Sequence, residues 1–273
     1  MGEVLPLWSH RDLRFVVETL IPERQDPEHV IQLLQEDTSL LEAMLEDERL
    51  FQQLMADDEI LLSVSPGFFF KVLLLRTRRD LQKEVYTFER RNLQKVVLFD
   101  ANRVVDLLSQ PPVCDYLAML LASFTRIHSV TIPIRVRPGI WHRLRINDLD
   151  VDNLIRYAQI LDEEHRFGVY QRIADACLFL TGIFPEYLES RQRYPFSGQP
   201  RLRLRSSVLH TLEDHEAYGR SFYSLAARHP LARQQGLEEV LGTLSEEFLL
   251  AEKPLAYLAE RYLSLHKHRL FDL

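Results

Sequence analysis

The stretch from Tyr170 to Thr181 (YQRIADACLFLT) constrains the fold more than any other part of the chain. Tyr170, Ile173, Ala174, Cys177, Leu178 and Thr181 recur at i, i+3, i+4, i+7, i+8 and i+11, which are the positions of one helical face. Phe179 and Leu180 carry apolar surface around the flanks. A helix that is apolar on most sides gains only from being enclosed, so the segment predicts a central buried helix. Leu178 then belongs to the core. Asp175 needs a partner, and the expected one is Arg172 on the same helix or a backbone donor, because an unpaired buried carboxylate is costly.

Helical spacing also dominates elsewhere. Ser9 with Asp12 reads as a cap ahead of Leu13, Val16, Val17 and Leu20, and Pro22 ends that helix. Asp26-Pro27 leads into Val30, Ile31, Leu33 and Leu34, with proline at the first helical position. Ser39 with Glu42 forms a capping box before Leu41, Met44 and Leu45. Leu50, Phe51, Leu54 and Met55 make another short stripe. Ser65-Pro66-Gly67 opens an element that runs from Phe68 to about Lys83. Asp100 is expected to cap Ala101–Leu108, and Pro111-Pro112 to open a helix through Phe124.

Between Ser129 and Asn147 the period changes to two. Val130, Ile132, Ile134 and Val136 alternate, and Pro138-Gly139 supplies turn residues, so residues 129–147 read as the one β-hairpin. Helices resume with Leu154, Ile155, Ala158 and Leu161. The last third predicts Glu213–Ala227, a stripe of Leu237, Val240, Leu241, Leu244 and Phe248, and a final helix with Leu255, Leu258 and Tyr262, near whose start Pro254 falls. The fold class is mostly α: a multi-helix, bundle-like protein with one small hairpin. Four segments follow: an acidic helical segment at 1–65 packing on the rest, helices at 66–128, the hairpin at 129–147, and a larger helical unit at 148–273.

Charge divides the chain as sharply as hydropathy does. Residues 1–65 carry 15 acidic and 4 basic side chains, whereas residues 66–146 carry 6 acidic and 14 basic ones. The acidic part is expected to cover or orient the basic part, unless the basic part faces an anionic partner. Two cysteines with no CxxC, Cys114 and Cys177, lie among apolar neighbours and read as small core residues in a reducing compartment. No run approaches the roughly 20 apolar residues of a membrane span. The first residues lack the basic-then-apolar order of a signal peptide, so a cytoplasmic location is expected.

Motifs for chemistry are few. Asp148, Asp150 and Asp152 have the spacing that opens a calcium loop, but Asn153 and Gln159 stand where that loop needs glycine and glutamate, so helix capping is the better reading. Residues 162–166 (DEEHR) resemble a metal cluster in composition only, and no histidine pair has the spacing of a helix-borne zinc site. No glycine-rich phosphate loop, nucleophile elbow or kinase signature is present. Neither a metal nor a cofactor is expected.

Two arginine-rich stretches remain. Arg135, Arg137, Arg143 and Arg145 lie in the hairpin with Trp141 and His142. Arg191, Arg193, Arg201, Arg203 and Arg205 lie in a loop with Tyr194 and Phe196. Cations interleaved with aromatics suit single-stranded nucleic acid or another anion. The same arginines can instead pair with the acidic helices, and the chain as a whole is acidic, at net −7.

Arg205 and His210, separated as Arg-x4-His after a loop, resemble the active pair of the HEPN ribonucleases. That resemblance implies a weak nuclease with these two as its catalytic residues. Arg137 and His142 repeat the spacing but enclose Pro138-Gly139. A broader pattern runs through Arg166-Phe167, Tyr170–Glu186, His215–Arg220 and Tyr223–Ala227. It resembles an uncharacterised family of mostly helical bacterial proteins, to which no activity attaches. The resemblance implies that Gly182–Pro185 and Tyr218-Gly219 form facing turns or a shared cleft, lined by Phe184, Tyr218 and Tyr223 with Arg172 and Asp175 as its polar groups. The sequence as a whole points to a non-enzymatic protein that acts on a protein partner or a second copy of itself. RNA or nucleotide binding through residues 135–145 and 191–205 is the alternative.

Overall fold

The computed structural model describes residues 8–23, 26–57, 59–91, 94–137, 140–188, 211–264 and 266–271. Five short helices come first: α1 (His10–Leu20), α2 (Pro27–Glu36), α3 (Thr38–Leu45), α4 (Glu48–Ala56) and α5 (Ile60–Ser63). The long α6 (Pro66–Leu81) follows, then strands β1 (Thr87–Arg91) and β2 (Gln94–Leu98), helices α7 (Ala101–Leu108) and α8 (Pro111–Ser123), and strands β3 (Ser129–Arg137) and β4 (Ile140–Asn147). The remainder comprises α9 (Val151–Ile160), a 3-10 turn (Glu163–His165), α10 (Phe167–Ile183), α11 (Leu212–Arg228), α12 (Pro230–Gln234), α13 (Glu238–Glu246), α14 (Phe248–Arg261) and α15 (Lys267–Leu270). The protein is mostly α, with the expected hairpin where the alternation placed it: Ser129 faces Asn147 and Ile132 faces Leu144.

α10 lies where its composition requires, packed against α8, α9, α11 and α14. All six residues of the expected inward face are buried, and so are Phe179 and Leu180; Leu178 is fully enclosed. Two glycines set the spacing of the helices around it. A Cβ on Gly182 of α10 would lie 2.7 Å from the Leu255 Cβ of α14. One on Gly219 of α11 would lie 2.4 Å from the Phe248 ring and 3.0 Å from the Cys177 Cβ. Both glycines are therefore helical close-approach positions and do not form the facing turns that the resemblance implied.

The N-terminal helices are stapled to α6 by one buried carboxylate. Asp12 accepts from the Ser9 backbone as a capping box requires. It also accepts from the Ser65 backbone at 2.6 Å and the Ser65 hydroxyl at 2.9 Å. Ser65 is the N-cap of α6, so one acid orders two helix starts. The charge contrast resolves in the same place. Arg76 pairs with Glu48 and Arg78 with Glu46, Arg79 lies 3.6 Å from Glu48, and the buried Lys71 lies 3.9 Å from Glu42 and 2.5 Å from Asp115. The arginines of α6 thus find counter-charge on the acidic helices, whereas Lys71 has its nearest partner, Asp115, on α8.

Four local expectations change. α3 begins at Thr38 under an Asp37 cap, with Ser39 donating to Asp37 instead of capping a later helix, because Asp37 offers its carboxylate to two backbone N–H groups at once. Asp100 precedes α7 without capping it, since its carboxylate is taken by Thr87 and Lys253. Pro254 sits inside α14, which starts at Phe248. A second antiparallel hairpin, β1–β2, occupies a stretch without alternation. Its register pairs Phe88 with Val97 and Glu89 with Val96. Among the described residues no single helix is long and apolar enough to cross a membrane.

Candidate functional site

The residues grouped by sequence as a cleft separate into four places. Asp175 and Tyr223 are in direct contact, but in the core. The Tyr223 hydroxyl donates to Asp175 Oδ1 at 2.8 Å and the Tyr116 hydroxyl of α8 to the same oxygen at 2.7 Å. Gln171 Nε2 donates to Tyr116 Oη at 3.0 Å. Burial pushes the Asp175 carboxyl up to about 6, and the two tyrosine donors offset part of that rise. Arg172 is not the partner. It donates to Ser123 Oγ at 2.7 Å, lies 3.1 Å from Asp148 and stacks 3.8 Å above the Phe124 ring, because its position on α10 faces α8 and the end of β4. Phe184 is buried among Phe179 and Phe271, with His268 beside it. Tyr218 is half-buried, stacked on Phe222. Tyr223 and Phe184 are thus core residues, not walls of an open cleft.

Among the other candidates, Asp150 caps α9 by accepting from the Asn153 backbone, and Asp148 accepts from the His128 backbone in addition to pairing with Arg172. Burial pushes the Cys114 thiol up to about 11, and the Cys177 thiol is raised as well, so neither is a nucleophile near neutral pH. Arg143 lies exposed on β4, and the side chains of Arg135, Arg137 and Arg145 lie outside the described residues. So do Arg191, Arg193, Arg201, Arg203, Arg205 and His210. The arginine-rich expectation thus has its hairpin backbone described but not the array of cations that would read an anion.

Two features stand out that the sequence reading did not single out, and both involve the β1–β2 hairpin. The first is its outer surface. Of the large apolar side chains exposed in the protein, Val85, Tyr86, Phe88, Val96, Val97 and Phe99 all belong to this short stretch, with Phe88 at 47%, Val97 at 45% and Phe99 at 80% exposure. Tyr86 meets Phe88 edge-on at 5.5 Å, and Lys95 lies over the Phe88 ring. Among the described residues the sheet has only two strands and β1 abuts α14, so the outer edge of β2 has no strand partner there.

The second feature is a cleft of about 620 Å³ between the inner side of the hairpin and α14. Leu81, Phe88, Leu249, Ala256 and Tyr257 supply apolar walls. At its mouth Lys95 lies 2.7 Å and Arg90 3.3 Å from Glu260. Deeper in, Lys253 pairs with Asp100 and lies 3.8 Å from Glu89. Glu252 stands beside them with its Oε1 buried and without a hydrogen-bond partner. Burial pushes its carboxyl well above the ordinary range, and the nearby Glu216 adds to the shift. The one sequence signal for this site is Glu252-Lys253, a charged pair set within the apolar run of residues 248–259.

No family model matches this chain, and no curated protein or solved structure does.

Proposed function

We propose that this is a non-enzymatic cytoplasmic protein that acts through protein–protein contact, and that the β1–β2 hairpin is its contact surface. The observation that carries the reading is the concentration of exposed apolar side chains on a hairpin whose β2 edge has no strand partner among the described residues. Scattered surface hydrophobes are ordinary, whereas a contiguous patch beside unpaired backbone groups marks an interaction surface. Natural edge strands are usually protected by proline, by a bulge or by inward-facing charge. β2 (QKVVL) contains no proline and its register with β1 has no shift; its one charged residue, Lys95, is paired with Glu260.

The occupant that fits is a second copy of the chain. Antiparallel pairing of β2 with itself about Val96 sets Lys95 opposite Val97 and Gln94 opposite Leu98, so no like charges face each other. The pairing would give a four-stranded sheet and cover Val96 and Val97. Light scattering during size-exclusion chromatography tests the reading. The wild type is expected to be a dimer, and Val96→Lys a monomer with an unchanged melting temperature, since Val96 faces Glu89 within the hairpin and a lysine there gains a cross-strand partner. A wild type that stays monomeric as concentration rises, or a Val96→Lys variant that stays dimeric, overturns it.

A further inference from the structure

Most charged groups that line the cleft are paired; the exposed Glu84 and Arg261 have no ion pair among the described residues, and one acid is buried. Glu260 holds Arg90 and Lys95 at the mouth, and Lys253 is shared between Asp100 and Glu89. Glu252 Oε1 remains buried without a donor, since the nearby Thr181 hydroxyl donates to the carbonyls of Cys177 and Leu178 instead. An unsatisfied buried acceptor is destabilising, and here it lines a cleft, so a donor that enters from outside would relieve it. The volume of about 620 Å³ is that of a small-molecule site, and apolar walls around a convergent polar group are what such sites present.

We propose that this cleft binds a small organic amine, whose ammonium group donates to Glu252 Oε1 while an apolar or aromatic body lies among Leu81, Phe88, Leu249 and Tyr257. A carboxylate oxygen without a donor gains more from a charged donor than from a neutral one. The groups that act on Glu252 from the elements around it are Glu216 of α11, Thr181 of α10, Glu89 of β1 and Lys253 of α14 itself. Lys253 is already committed to Asp100 and Glu89. A single acceptor oxygen suits the point charge of an ammonium better than the two-pronged fork of a guanidinium. A metal ion would need several ligands, and among the described residues no group of three histidine, cysteine or carboxylate side chains could hold one. In the free protein, burial and Glu216 favour the protonated Glu252. The ammonium replaces that proton, so binding releases up to one proton from the carboxyl to the buffer.

Isothermal titration calorimetry of the full chain tests this, with tryptamine as the cation and tryptophol as its neutral counterpart, in two buffers of different ionisation enthalpy near pH 7. The wild type is expected to bind tryptamine at least tenfold more tightly than tryptophol, with an enthalpy that depends on the buffer. Glu252→Gln should weaken tryptamine at least tenfold and remove the buffer dependence. Ala256→Phe, which fills the apolar part of the cleft and leaves Glu252 in place, should weaken both compounds. Equal affinity for the two compounds, or tryptamine affinity retained in either variant, overturns the proposal. Equally tight binding of N-acetyl-lysine amide would make the ligand a protein lysine and overturn the assignment to a small amine.

Discussion

α10 and the β1–β2 hairpin are both rich in apolar side chains, yet they use them in opposite ways. On α10 every residue from Ile173 to Ile183 is buried, and the polar groups among them have partners: Asp175 in two tyrosines, Thr181 in the carbonyls of Cys177 and Leu178. On the hairpin, Val97 and Phe99 on one face and Val96 on the other stay exposed, beside a strand edge with no strand partner among the described residues. Apolar surface removed from water contributes to stability at roughly 25 cal/mol per Å², and the same surface left exposed is available for association. Stability thus rests on the first region, and the proposed contact on the second.

The largest expected effect lies in the first region. Leu178→Ala removes a fully enclosed side chain and should cost about 2–5 kcal/mol in denaturant unfolding, the range for a buried leucine. A variant that unfolds like the wild type would show that α10 is not the centre of the core.

The second effect is a pH dependence. Asp175 is held at about 6 in the folded protein, chiefly by burial, against about 3.9 in an unfolded chain. The folded form binds the proton more tightly, so the stability from this group is complete below about pH 4 and is lost as pH rises through about 6. A two-unit shift corresponds to about 3 kcal/mol. Asp175→Asn keeps an acceptor for both tyrosines and does not ionise, so it should gain on the wild type by about that amount between pH 4 and pH 7. Parallel stability curves for the two proteins would contradict the buried network.

A smaller loss tests how closely the helices approach. Gly219→Ala sets a methyl group against the enclosed Phe248 ring and should cost about 1–3 kcal/mol by overpacking. Val97→Ser marks the low end. It lies on the exposed strand and should change monomer stability by less than about 0.5 kcal/mol while weakening association.

The same contrast explains what the sequence disclosed. α10, α1, α6 and α8 were legible because burial on one side, or on all sides, imposes a period, and because Ser9, Ser65, Asp26 and the prolines mark where helices start. β3–β4 was legible because its apolar residues alternate. β1–β2 was not. Its strands read TFERR and QKVVL, with no period of two and no turn dipeptide, because neither face is fully buried and nothing forces alternation. Glu252 escaped for a related reason. A lone acid on an apolar helix looks like a solvated position until α10, α11 and β1 are seen to close around it. Asp175 was recognised as needing a partner, but Tyr116 lies 59 residues away on α8, beyond the reach of any local pattern.

Hydrogen–deuterium exchange measured over a range of protein concentrations tests the division of labour most directly. If β2 pairs with a second copy, the amides of Gln94–Leu98 should exchange more slowly as concentration rises, while those of α10 stay equally protected throughout. Exchange at β2 that does not depend on concentration would contradict the assignment of contact to the hairpin.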